Sequence, residues 1–158
     1  MKIFISHQQA DSILATSLAA RLLNVHLIHS YLDVIDPALD RSGDALADHV
    51  KHELGKCTQL LAVVSEATRS SWWVPWEIGI ATEKEFPLAT YAGATTTVPE
   101  YLRKWPYLRS LTDLDLYAAA SKTAANDFQI KRGYLAESAA RERSTKEFYR
   151  VLRASLRQ

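Results

Sequence analysis

Apolar residues along this chain fall into short blocks, and the spacing inside successive blocks alternates between two periods. Ile3-Phe4-Ile5 is a short β-rich run and predicts an opening strand. Leu14, Leu18 and Leu22 recur every four residues and predict an amphipathic helix, with Asp11 or Ser12 as its cap. Val25 to Leu32 reads as a second strand, with His26 and His29 on opposite faces of it. Asp33 to Gly43 is a polar loop broken by Pro37 and Gly43. Leu46, Val50 and Leu54 mark the next helix, ending near Gly55. Leu60 to Val64 is a continuous apolar run, as expected of a central strand covered on both faces.

Beyond a polar loop at Ser65 to Ser71, a Trp-rich helix is expected from about Trp72 to Glu85, with Pro75 in its first turn. Leu88 to Tyr91 reads as a fourth strand, and Pro99 opens a short helix through Lys104. Tyr107 to Leu111 is the best candidate for a fifth strand, and Asp113 to Ser121 reads as helix. Phe148, Val151, Leu152 and Ser155 give a last helix one apolar side. Lys122 to Arg143 has no clear period, and Gly133 is a candidate break within it.

Strand and helix in strict alternation imply parallel strands joined by right-handed crossovers. The expected fold is therefore α/β, a flavodoxin-like sheet of four to five strands with helices on both faces. Residues 1–158 form one domain on this reading, with 122–158 as a helical extension packed on or beside the core. Ligands on such sheets sit at the carboxyl ends of the strands, near the switch in strand order. Ser6 and His7, Asp33 to Gly43, and Ser65 to Ser71 should therefore meet at one edge, together with the helix that carries Glu77. Neither a Walker phosphate loop nor a glycine-rich dinucleotide fingerprint is present, so side chains would have to hold a nucleotide.

Composition narrows this only slightly. The chain is 47% hydrophobic and 23% charged, and its nineteen basic and eighteen acidic residues leave a formal net charge of +1. That balance does not favour nucleic acid as a partner. The single Cys57 cannot form an internal disulfide and suits a reducing compartment. With neither a signal segment nor a long apolar run in view, the chain is read as cytoplasmic and without a membrane partner. His49 and His52, next to Asp48 and Glu53, have a spacing that metals use. Without further ligands in a pattern, a solvated helix face is the plainer reading, and no metal site is expected.

The chemistry-bearing segment is Ser71-Trp72-Trp73-Val74-Pro75-Trp76-Glu77-Ile78-Gly79, which holds three of the four tryptophans. Indoles stack on flat cationic heterocycles. A carboxylate among them can face the positive charge that develops when such a heterocycle leaves a sugar. The rival reading is an aromatic core helix; Trp76 in particular shares a stripe with Ile80 and is expected to pack inward.

Ile3-Phe4-Ile5-Ser6-His7 followed by Asp11 resembles the opening of Toll/interleukin-1 receptor (TIR) domains. Ser71-x-Trp73-x-x-x-Glu77 is similar to the Ser-x-Trp-Cys-x-x-Glu signature of their enzymatic members, with Val74 where a Cys is common. Asp33 to Gly43 sits where that family has its BB loop. The resemblance covers roughly residues 1–120. It implies a five-stranded flavodoxin-like fold and, in the enzymatic branch, cleavage of NAD at the nicotinamide–ribose bond to ADP-ribose, cyclic ADP-ribose or an isomer. NAD is then the substrate, with no separate cofactor. The resemblance extends to TIR proteins of antiphage systems such as Thoeris, in which a nucleotide signal passes to a separate effector; a phage-derived trigger is part of that picture. A homo-oligomer or other TIR–TIR assembly is implied too, with the BB loop completing the site.

One glutamate suffices for this reaction, because nicotinamide leaves as a neutral molecule and needs no proton, unlike an ordinary glycosidic oxygen. Glu77 is expected to steady the ribosyl cation. Ser6, His7, Ser71, Trp73, Asp36 and Arg41 are the expected substrate contacts. All but Ser6 have a plainer alternative: a helix cap for Ser71, a solvated turn for His7, a packing residue for Trp73, a solvated charged loop for Asp36 and Arg41. Arg69 is a further candidate for the pyrophosphate, or a surface arginine. Two other functions fit parts of the pattern. A non-enzymatic TIR module would use the same surfaces for assembly alone, and a nucleoside deoxyribosyltransferase would use the glutamate as a covalent nucleophile.

Overall fold

The computed structural model describes residues 1–32, 44–93 and 96–158, leaving aside the side chains at 44, 69 and 70. Five parallel strands form one sheet in the order β2-β1-β3-β4-β5. They are β1 (Lys2–Ser6), β2 (His29–Leu32), β3 (Gln59–Val63), β4 (Leu88–Tyr91) and β5 (Tyr107–Leu108). This is the expected flavodoxin-like α/β fold, and the strand order reverses between β1 and β3. There Ile3 lies beside Gln59 and Ser6 beside Ala62.

Side-chain alternation along the strands divides the core into two halves. Ile3, Ile5, Leu61 and Val63 face α1 (Ser12–His26), α4 (Leu111–Lys131) and α5 (Glu137–Leu156). Phe4, Leu60, Ala62 and Val64 face α2 (Asp44–Gly55) and α3 (Trp73–Glu83). All of β3 is buried, which accounts for its unbroken apolar run.

The second strand is shorter than the sequence suggests. Val25 and His26 belong to α1, which ends at Leu27 in the left-handed region at φ 56°. The Ile28 amide donates to the Leu22 carbonyl at 3.0 Å, and both side chains are buried. This is a Schellman-type stop with its hydrophobic contact, made without the usual glycine. His26 therefore does not share a strand with His29. Its Nε2 lies 2.7 Å from Asp115 Oδ1 on α4, and Arg21 donates to both oxygens of that carboxylate at 2.8 and 2.6 Å. In α1 the core residues are Ala15, Leu18 and Leu22, while Leu14 is exposed.

The region from 122 to 143 resolves into the end of α4, a turn containing Gly133, and the start of α5. The two helices form an antiparallel pair. Ser144 Oγ and Lys131 Nζ both donate to Asp127 Oδ2, at 2.7 and 2.6 Å. Tyr149 Oη on α5 accepts from the Leu88 amide at 3.1 Å, tying the pair to β4. The short β5 is flanked by Gln158, whose amide donates to and accepts from the Tyr107 backbone at 2.5 and 3.0 Å, as a neighbouring strand would.

Candidate functional site

The carboxyl end of β1 supplies the first part of the site. Phe4 and Ser6 point to the α3 side, so the strand delivers a hydroxyl, rather than an apolar group, where it ends. Ser6 is fully buried and His7 is 5% exposed. His7 Nδ1 lies 3.2 Å from the Ile5 carbonyl. A carbonyl only accepts, so Nδ1 carries the proton of that contact.

Helix α3 supplies the second part. Its buried positions are Val74, Glu77, Ile78 and Ala81, the i, i+3, i+4, i+7 stripe of a helix facing a sheet. Glu77 is the polar member of an otherwise apolar stripe and is 1% exposed. A carboxylate so placed needs hydrogen-bond donors. Ser6 Oγ donates to Glu77 Oε2 across the switch between β1 and β3. The carboxyl group is thereby held at the carboxyl edge of the sheet.

The tryptophans are turned toward solvent rather than into the core, with Trp73 one turn before Glu77 at the margin of the buried stripe. Trp72 is 89% exposed, Trp73 41% and Trp76 37%. The expectation that Trp76 packs into the core is overturned. The inward stripe runs through Glu77 and Ile78, and Trp76 is turned away from it by about 100° per residue of helix. Trp73 and Trp76 meet edge to face, with ring centroids 5.3 Å apart. Indole faces therefore do not wall in Glu77 from the core side; they form an aromatic surface beside it.

Ser71 Oγ accepts from the Val74 amide at 3.2 Å, so it caps the first turn of α3. It also lines a cleft of about 540 Å³ with Thr68, Pro75, Val98, Tyr101 and Arg103. Asp36 and Arg41, with the rest of the loop at 33–43, lie outside the described residues, as does the side chain of Arg69.

Sequence reasoning missed two fastenings around this edge. Ser65, just past β3, donates to Asp11 Oδ2 at 2.8 Å and accepts from the Ala67 amide at 3.1 Å, while the Ser65 amide donates to Thr68 Oγ1 at 3.0 Å. The Ser65-x-x-Thr68 spacing is a local capping signal. Its link to Asp11 joins the segments that follow the two switch-point strands. Arg109, beyond β5, donates to the carbonyls of Gly93 and Thr96 at 3.0 and 2.7 Å. It thereby ties the segment after β4 to the same edge, and nothing local in the sequence announces it.

The carboxylate of Glu77 is thus buried on α3 and bonded to the last residue of β1, in a sheet of order 2-1-3-4-5. The TIR-domain family model matches residues 3–129 of this 158-residue chain. The chain belongs to the TIR family. Most of α4 lies within the matched residues of the TIR domain, and α5 lies beyond them. No curated protein matches the chain. TIR domains commonly self-associate, and no helix among the described residues is long and apolar enough to cross a membrane.

Proposed function

We propose that this TIR domain cleaves NAD at the nicotinamide–ribose bond, with Glu77 as the catalytic carboxylate. The observation that carries this reading is the burial of Glu77 at the switch point with its carboxylate accepting from Ser6. A fixed negative charge at a ligand-binding edge stabilises positive charge that develops there. In the proposed step the bond from ribose C1′ to the pyridine nitrogen breaks. The electron pair leaves with nicotinamide, which departs neutral. The ribosyl cation is held by Glu77 until water adds and loses a proton, giving ADP-ribose, or until a nucleophile within the same molecule closes a ring. Ser6 keeps the carboxylate oriented. Trp73, half-exposed beside Glu77, offers an indole face for the departing pyridine.

The exposed Trp72, with Trp73 and Trp76, supports a second element of the reading: assembly with another TIR domain through the outer face of α3. Assembly alone, without turnover, is the competing function. By resemblance, the activity belongs to cytoplasmic antiphage defence, with a phage-derived trigger and a separate effector for the nucleotide product.

The test is incubation of the purified chain with NAD at high protein concentration and on a crowding surface, with products identified by chromatography and mass spectrometry. Nicotinamide with ADP-ribose or a cyclised product is expected from the wild type and not from Glu77→Gln. A wild-type protein that self-associates yet releases no nicotinamide would leave assembly as the function.

A further inference from the structure

The α4–α5 pair overhangs the amino-terminal edge of the sheet, opposite the edge that carries Glu77. A 21-residue helix is about 31 Å long, roughly twice the length of a five-residue strand. Gln59, the first residue of β3, meets Tyr117 and Ser121 midway along α4. The rest of α4 runs on past the sheet. Under this overhang lies a cavity of about 520 Å³, within the range of small-molecule sites. Ile28, Ala124 and Phe128 supply apolar lining, and Gln59, Lys122 and Arg141 supply polar groups.

Gln59 is 3% exposed. Its Oε1 accepts from Tyr117 Oη at 3.2 Å and Ser121 Oγ at 2.7 Å, which directs its nitrogen away from α4. That nitrogen meets one acceptor among the described residues, the Met1 sulfur at 3.7 Å. A thioether is a weak acceptor, and a buried amide donor gains from a stronger one. Met1 also lines the cavity. Lys122 follows Ser121 directly and pairs with no carboxylate among the described residues. Arg141 lies over Phe128, with its guanidinium carbon 5.1 Å from the ring centroid, and donates to the exposed Glu137 at 2.9 Å.

A buried amide donor, an apolar lining with one aromatic ring, and Lys122, a cation with no carboxylate partner among the described residues, select one ligand chemistry. We infer that this cavity binds a small aromatic monocarboxylate, its ring against Phe128 and Ile28 and its carboxylate toward Gln59 and Lys122. Lys122 can face a carboxylate, and the largely apolar lining makes a polyphosphate a poor fit. The site lies at the far edge from Glu77 and does not depend on NAD cleavage.

The probe is 2-naphthoate, titrated into the full chain and followed by calorimetry and by backbone amide shifts. Saturable binding is expected, with shifts at 58–60, 122–129 and 141–145 and none at Ser6 or Glu77. Lys122→Glu, at an exposed position, should weaken binding about tenfold or more, as should replacing the probe with neutral 2-naphthol. Ala125→Trp, shown by circular dichroism to be folded, should block the probe by filling the cavity. The inference is overturned if no saturation is reached by about 5 mM probe, if the shifts fall elsewhere, or if Lys122→Glu binds as tightly as the wild type.

Discussion

Ser6 Oγ donates its hydrogen bond to Glu77 Oε2, joining the last residue of β1 to the second turn of α3 across 71 positions of the chain. The bond orients the one carboxylate on the buried stripe of α3. Ser6→Ala should leave the fold intact and lower kcat for NAD about 10- to 100-fold, with a smaller change in KM, because it removes orientation rather than a substrate contact. Steady-state kinetics on Ser6→Ala and Ser6→Thr check this. An unchanged kcat in Ser6→Ala would show that the carboxylate needs no such support.

Asp115 ties α4 to Arg21 and His26 of α1. The Arg21 and His26 hydrogen bonds hold its carboxyl well below the usual carboxylate range. A depressed folded pKa means that the stabilisation is complete above the unfolded value, near 4, and is lost as pH falls below it toward the folded value. The group is about one-third exposed, so Asp115→Asn should cost only about 1 kcal/mol at neutral pH. That corresponds to a Tm lower by about 2–4 °C. The difference between mutant and wild type should shrink as pH is lowered below about 4, as followed by thermal melts across pH.

Cys57 is buried between α2 and β3, and burial pushes its thiol up to about 11. At pH 8 the thiolate fraction is then about 100-fold lower than for an ordinary thiol. A thiol reagent such as dithionitrobenzoate should label the native protein very slowly and the denatured protein at once. Because the folded pKa is raised, this group's contribution is complete below the unfolded value and is lost as pH rises from about 9 to about 11.

Gln59→Leu removes the acceptor shared by the buried Tyr117 and Ser121 hydroxyls. Two buried donors lose their partner, and the expected cost is about 1–3 kcal/mol. Urea unfolding should show a lower midpoint with an unchanged slope. A double change, Gln59→Leu with Ser121→Ala, should recover part of the loss.

Trp72 is 89% exposed and contributes little to the folded monomer. Trp72→Ala should leave stability within about 0.5 kcal/mol of wild type. If the outer face of α3 is the assembly surface, the same change should weaken self-association, measured by light scattering or sedimentation, and lower NAD turnover at high protein concentration. Unchanged association would move the interface to another face.

The order of strands and helices is legible in the chain because each element carries its own period. The unbroken apolar run at Leu60 to Val64 is enough to make β3 central, and strict alternation is enough to make the sheet parallel. Glu77 stands out within a local motif. The phase of α3 does not, because Val74, Trp76, Ile78 and Ile80 are all apolar and give no single apolar face from which to choose the inward stripe. The end of α1 is equally hidden: Leu27 takes a left-handed conformation that sequence rules reserve for glycine, held there by burial of Ile28 against Leu22.

Sequence alone determined the fold class and the family and singled out Glu77 as the acidic candidate, since these reside in short-range spacing that local stretches of chain carry by themselves. Tertiary structure alone decided that this acid is buried against Ser6, that the tryptophans face outward, that Asp11 and Ser65 fasten the switch point, and that a cavity opens beneath the α4–α5 overhang. Those outcomes depend on which residues far apart in the chain compete for the same space and the same hydrogen bonds, and that competition begins only when the elements pack.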